Sequence, residues 1–254
     1  MLNEDLRLTR VIFIRDFKSQ FRRTILGPLL AFISPVVYLM VFIFFRLMFG
    51  LPQSDGVPMI PFLFSGIMLW MFFSSIVSGV FPSISANLGI MRKMPANPMV
   101  FAVSSLGMPL LTVCVYSVLM ILMCLYYGIM PKTSWLALPF LILLIGLFGM
   151  GIGVFVCGIA IYRRDIIVLL PIILQLGMFV TPIFFPPEMV PAQFRWAVTV
   201  NPMAHLVSMF RDAMFLGEFP GLLPLCISVL VTGALWLVGY PFFRRTMRYA
   251  ADVI

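Results

Sequence analysis

The stretch NPMAHLVSMFRDAMF, Asn201 to Phe215, holds the protein's sole histidine, His205, and an adjacent Arg211–Asp212 pair. It lies between two long segments that carry almost no charge. Histidine, serine and aspartate can make a base, a nucleophile and the group that orients the base. The spacing argues against that chemistry. Ser208 follows His205 by three residues on one expected helix, and rigid i, i+3 neighbours do not converge on one reacting atom. His205 is expected instead to hydrogen-bond within a helical hairpin. No Gly-x-x-x-x-Gly-Lys-Ser/Thr loop, His-Glu-x-x-His pair or Gly-x-Ser-x-Gly elbow occurs elsewhere. Cys114, Cys124, Cys157 and Cys226 form no Cys-x-x-Cys pair and lie far in sequence from His205, so they read as small apolar fillers rather than metal ligands or a disulfide framework. The chain is therefore expected to have no catalytic residue, cofactor or metal of its own.

What must position these polar residues is a very apolar chain. Of its 254 residues, 62% are hydrophobic and 10% charged, against about 45–50% and about 25% in ordinary globular domains. Charge-free runs cover Thr24–Phe45, Gly56–Met91, Met94–Pro131, Thr133–Tyr162, Ile166–Pro187 and Phe219–Phe243. Each is long enough for the roughly 20 residues that a helix needs to cross a bilayer. The composition predicts an all-α, polytopic membrane protein with six transmembrane helices in one domain over 1–254. The spans are expected near 27–49, 58–80, 99–127, 135–161, 166–184 and 221–243. The start MLNEDLRLTR does not read as a cleavable signal peptide, because acidic residues come first and Arg10, Arg15 and Lys18 interrupt the first apolar run.

The net charge of +8 is distributed in a way that explains it without nucleic acid. Counted along alternate loops, thirteen basic residues fall on one side: Arg7, Arg10, Arg15, Lys18, Arg22, Arg23, Arg92, Lys93, Arg163, Arg164, Arg244, Arg245 and Arg248. Four fall on the other: Arg46, Lys132, Arg195 and Arg211. The positive-inside bias places both termini in the cytoplasm of an inner-membrane protein and requires an even number of crossings.

Three pieces stand outside the spans. Residues 3–23 read as an amphipathic interfacial helix, with Leu6, Phe13, Phe17 and Phe21 on one face and Arg15, Lys18 and Arg22 on another. The segment 83–98, SISANLGIMRKMPANP, lies between Pro82 and Pro98 and can align Ile84, Leu88 and Met91 on a helical face. Region 185–218 is too apolar for a free loop and too polar for a span. Within it Asn201–Pro202 is a helix-start signature, with His205, Ser208 and Asp212 on one stripe and Leu206, Phe210 and Ala213 on another. Irregular structure at membrane depth needs protein or a wet cavity to shelter its polar groups, which points to a pathway. In span four, Gly149 and Gly153 form a small-xxx-small pair that admits a close backbone.

Several stretches together resemble the type-2 ABC exporter permeases that move polysaccharides, the O-antigen, capsule and teichoic-acid exporters. RDFKSQFRRTILGPLLAFISP is similar to the start of that family, with Arg15-Asp16, Lys18 and Leu26-Gly27-Pro28 at its signature positions. NLGIMRKMPANPM resembles its coupling segment, although Met94 stands where an aromatic is common. YRRDI, VTPIFFPPEMVP and NPMAHLVSMFRDAMF resemble its later elements in order. The resemblance implies a homodimer bound to two separate ATP-binding cassette subunits, which carry ATP and Mg. It implies a lipid-linked glycan as cargo, and an extracytoplasmic re-entrant helix pair at the exit that includes Asn201, Pro202, His205, Arg211 and Asp212. ATPase coupling is expected at Asn87, Leu88, Arg92, Lys93 and Pro95, with Arg15 and Arg22 on the N-terminal helix. Channel lining is expected from Ser34, Tyr38, Phe42 and Phe45 on span one and from Gln175 and Phe179 on span five.

Three rival functions compete with what the resemblance implies. A type-2 permease for drugs or small lipids would share the same motifs. An intramembrane enzyme acting on lipid-linked sugars would require a convergent polar set within the spans, which is not found. A gradient-driven carrier would require intramembrane carboxylates, which the spans lack.

Overall fold

The computed structural model describes residues 7–15, 18, 27–49, 57–93 and 97–253, and every regular element among them is helical. After α1 (7–15) come α2 (Gly27–Phe49), α3 (Met59–Lys93), α4 (Pro98–Ser104) and α5 (Gly107–Tyr126). A 3-10 turn, Thr133–Ala137, leads into α6 (Leu138–Tyr162), followed by α7 (Asp165–Val180). Two further 3-10 turns, Pro187–Met189 and Ala192–Phe194, precede α8 (Arg195–Val200) and α9 (Pro202–Arg211). A π turn, Asp212–Leu216, then leads to α10 (Leu222–Val253).

Among the described residues four helical stretches are long and apolar enough to cross a membrane: Met59–Met91, Pro98–Tyr126, Thr133–Tyr162 and Leu222–Arg248. Two further apolar stretches are shorter among the described residues: Pro35–Phe44 within α2, and α7, Asp165–Val180. At 1.5 Å per residue, α7 reaches about 24 Å, short of the roughly 30 Å hydrocarbon thickness. The apolar exterior agrees with a lipid solvent. Leu230 and Leu237 on α10 are 70% and 78% exposed, and Leu122 and Val118 on α5 are exposed as well.

α6 lies between α3 and α10, and the small-residue pair explains one of those contacts. A Cβ on Gly149 would meet the Phe73 carbonyl at 3.3 Å, and one on Gly153 would meet Val80 Cγ2 at 2.7 Å. Only glycine lets the two backbones approach this closely. On the opposite side the Trp236 indole donates to the Leu147 carbonyl at 2.9 Å, so a polar handle on α10 grips α6. Phe62, Leu63, Ile67, Leu69, Phe73 and Ile76 of α3 fill the core.

Three expected boundaries shift. Span two does not give way to a loop at Pro82: α3 continues as one helix to Lys93. Pro82 is exposed on that helix, where the ring and the unpaired carbonyl a turn earlier are tolerated. Span three is broken at Ser105–Leu106 into α4 and α5, because Pro109 has no N–H for the Ser105 carbonyl. α7 ends at Val180 rather than 184, two residues before Pro182.

Candidate functional site

The segment from Phe184 to Gly217 is built around Asn201. Its side chain accepts from the Met203 amide at 3.0 Å, capping α9, while Pro202 occupies the first helical position. The same side chain donates through Nδ2 to Thr181 Oγ1 at 2.9 Å. One residue thus starts a helix and ties it to the end of α7. Leu206, Phe210 and Ala213 are buried, whereas His205, Ser208 and Asp212 are half-buried, as the two-stripe pattern predicts. His205 Nε2 lies 2.7 Å from the Thr199 carbonyl, joining α9 to the last turn of α8. That bond accounts for the lone histidine within the hairpin.

Among the hydrogen bonds of the described residues Arg211 makes the most from one side chain. It is 5% exposed, and its guanidinium makes four hydrogen bonds. Nη1 donates to the Pro182 carbonyl at 2.7 Å and Nη2 to the Ile183 carbonyl at 2.6 Å. Nη2 also reaches the Phe62 carbonyl and Nε reaches Ser65 Oγ, both at 3.2 Å. The Phe62 ring lies beneath it, 3.7 Å from centroid to guanidinium carbon, a geometry that favours a cation. Burial lowers the Arg211 pKa to about 9, with Asp212 pulling upward, so the group keeps its charge at neutral pH. The planar fork is what allows one residue to hold two carbonyls of a turn and one helix end together. Gly66 makes room for it, because a Cβ there would lie 2.6 Å from Nη2.

The far end of the segment is held by residues that the sequence reading did not single out. Ser134 Oγ donates to the Ala213 carbonyl at 2.6 Å, and Trp135 Nε1 to the Met214 carbonyl at 3.0 Å. Lys132 Nζ donates to the carbonyls of Phe215 and Leu216, each at 2.9 Å. Four successive carbonyls of the π turn are satisfied from the start of span four, and a lysine at a helix C-terminus also complements its dipole. Gly217 then takes the left-handed conformation, φ +85°, that ends the element. The available signal was that Lys132 and the Trp135 N–H border a span, where each requires an acceptor.

Two of the expected lining residues meet. The Phe42 and Phe179 rings lie 6.3 Å apart, and Phe184, which sequence reasoning missed, completes the group. It stacks on Phe42 at 3.2 Å and tilts against Phe179 at 5.9 Å. Phe179 and Gln175 are exposed and Tyr38 is half-buried. Beside this cluster lies an apolar pocket of about 510 Å³, between Phe179, Phe184 and Phe185 on one side and Phe194, Ala197 and Val198 on the other. Ser34 and Phe45 lie on α2, but their side chains fall outside the described residues.

At the opposite end of the bundle, α1 packs into the break of span three. Ile12 is buried, and a side chain on Gly107 would overlap the Phe13 ring. Arg15 is exposed on this helix. Asn87 faces inward at 1% exposure, donating to the Ser83 carbonyl at 2.7 Å, and its buried Oδ1 has no partner among the described residues. Leu88 is half-buried. Asn87 can therefore stiffen α3 but presents no surface. Arg22 and Pro95 lie outside the described residues, and the Arg92 and Lys93 side chains do as well.

Among the described residues no cluster of potential metal ligands occurs. Asn201, His205 and Arg211 bind backbone groups and the hydroxyls of Thr181 and Ser65, and their arrangement fixes a segment rather than surrounding a reacting atom. Together with the apolar exterior and the spanning helices, these features define a multi-pass membrane protein whose polar groups serve structure. The chain belongs to the ABC-2 type transporter family, whose model matches residues 7–215. It is 26% identical over 252 residues to the O-antigen export system permease protein RfbA of Klebsiella pneumoniae, covering 96% of this chain and 93% of that protein. It is 27% identical over 237 residues to the polysialic acid transport protein KpsM of Escherichia coli, covering 92% and 91%. With the capsule polysaccharide export inner-membrane protein CtrC of Neisseria meningitidis it shares 23% identity over 240 residues, covering 92% and 90%.

Proposed function

We propose that this chain is the transmembrane permease subunit of an exporter for a cell-surface polysaccharide, carried as a lipid-linked chain across the cytoplasmic membrane. It works as a homodimer of six-span subunits, with α2 and α7 counted among the spans and both termini in the cytoplasm. Two ATP-binding cassette subunits supply the force and hold ATP and Mg. The observation that carries the reading is the Phe42–Phe179–Phe184 cluster at the end of span five. Sugar C–H faces stack on aromatic rings while their hydroxyls seek hydrogen bonds, so a glycan path calls for rings more than charges. The O-antigen, polysialic acid and capsule exporters to which the chain is similar over more than nine-tenths of its length point the same way.

ATP-driven closure of the partner pair would push on 83–98 and on the N-terminal helix. The unbroken helix from Met59 to Lys93 is suited to this, since a push at its end acts on the core that α3 fills. The docking of Phe13 on Gly107 gives the N-terminal helix a second grip on the same end. In this reading Arg92 and Lys93 meet the ATPase, and Asn201–Phe215 stands at the exit.

The test is export by the purified permease, reconstituted with its ATP-binding partner in proteoliposomes, together with glycan analysis of a deletion strain. ATP-dependent appearance of glycan in the lumen, and loss of surface polysaccharide on deletion, are expected. Cargo movement by the permease alone without ATP, or an unchanged surface glycan in the deletion strain, refutes the reading.

A further inference from the structure

We infer that Lys132, Ser134 and Trp135 are positioning residues for the hairpin segment, fixing its second helix as a post so that residues 184–200 form a flap whose base is clamped. Both ends of that flap are pinned at neighbouring points. At the start, Arg211 holds the carbonyls of Pro182 and Ile183. At the finish, Asn201 Nδ2 holds Thr181 Oγ1, and its Oδ1 caps α9. The chain therefore leaves and returns to nearly one spot, as in a compact Ω-loop.

Beyond the flap the attachment is continuous. α9 is buried along Met203, Leu206, Val207 and Phe210. The π turn that follows has its carbonyls from Ala213 to Leu216 satisfied by Ser134, Trp135 and Lys132. α8 is different. Among the described residues one side-chain hydrogen bond joins it to another helix, from His205 to the Thr199 carbonyl. The Arg195 bond to the Val190 carbonyl and the Thr199 bond to the Arg195 carbonyl both stay inside the flap. Phe194, Trp196 and Val200 are exposed, and the flap's inner side borders the apolar pocket rather than filling it. Local opening follows such differences in burial and bonding. The flap opens while the post stays, swinging about Asn201 and the 182–184 turn over the aromatic cluster. Lys132 acts at a distance from the flap, by keeping the post in register with span four.

The role in export rests on the reading above that the aromatic cluster lines the path, but the mechanical division can be tested without it. Amide hydrogen exchange is measured on the full chain with its ATP-binding partner in lipid nanodiscs. Amides of 195–200 should exchange about 100-fold faster than those of 204–214, the range expected between a weakly and a strongly anchored element. Lys132→Met should speed exchange at 214–217 about tenfold without changing 195–200, and Lys132→Arg should restore it. In the reconstituted complex Lys132→Met should lower glycan exported per ATP hydrolysed, with ATP turnover retained. Trp135→Phe keeps an aromatic ring, though a smaller one, and removes the N–H that donates to the Met214 carbonyl, and serves the same purpose should Lys132→Met fail to insert. Equal exchange in the two elements, or unchanged exchange at 214–217 in both variants, overturns the inference. Should this exchange pattern appear while no glycan moves, the proposed cargo is wrong and the flap stands.

Discussion

Replacing Arg211 offers a sharp test of how this protein is held together. Arg211→Met keeps the apolar stem and removes all donors. Two of the four acceptors survive the loss, because Ser65 Oγ still donates to the Phe62 carbonyl at 2.7 Å. The carbonyls of Pro182 and Ile183 do not, since Arg211 is the partner described for both. Leaving a buried acceptor unmet costs about 1–3 kcal/mol each. Loss of the cation over the Phe62 ring adds roughly 0.5–2 kcal/mol. Against this, the buried charge and its desolvation cost disappear. A net loss of about 3 kcal/mol is expected, or about 6–12 °C in the Tm of a chain this size. Arg211→Lys should recover part of it, because an ammonium has three donors but no planar fork. Gly66→Ala supplies a second arm: its new Cβ would press on Nη2 at 2.6 Å and on the Ile183 carbonyl at 2.9 Å. The two changes touch the same atoms, so their losses should fall short of additivity by about 1 kcal/mol or more. The assay is thermal unfolding of the purified protein in one detergent, by tryptophan fluorescence. An Arg211→Met Tm within two or so degrees of wild type, or strictly additive losses in the double variant, would refute the clamp.

Other consequences can be checked more briefly. Phe42→Ala and Phe184→Ala should each lower glycan export about 3–10-fold at normal protein levels, the equivalent of one aromatic contact, whereas Phe42→Trp should preserve it; unchanged export in both alanine variants counts against lining. Gly153→Val should force α3 and α6 apart against Val80 and Val77 and destabilise by about 2–4 kcal/mol, read as loss of the folded peak in detergent chromatography. Gly107→Leu should evict Phe13 and weaken association with the ATP-binding partner in co-purification, while leaving the Tm of the membrane bundle nearly unchanged. Replacing Arg92 and Lys93 with Ala and Ser should uncouple ATP hydrolysis from export in correctly oriented protein; normal coupling would remove them from the contact.

Much of the architecture follows from composition alone. A chain with 62% hydrophobic residues and 10% charged ones must use lipid as its solvent, and in lipid a helix is the way one chain segment satisfies its own backbone. The Asn201–Pro202 cap and the stripes of α9 were legible for the same reason: both are local, set by residues within one or two turns. So was the Gly149–Gly153 pair, since small residues at that spacing have one common use. Boundaries near proline were harder to read. Pro82 leaves α3 unbroken while span three divides at Ser105–Leu106, a turn before Pro109, and the local chemistry of proline, the same at both, does not tell them apart. The partners of Arg211, Lys132, Ser134 and Trp135 lay beyond local reasoning altogether. Arg211 finds Phe62 and Ser65 across the bundle, and Ser134 finds Ala213, because α3, α6 and α9 pack together. The sequence determined that these polar groups had to be satisfied. Which acceptors would satisfy them, and so which helix stands fixed and which can move, depended on tertiary packing, for hydrogen bonds between distant elements are chosen by where the apolar faces come to rest.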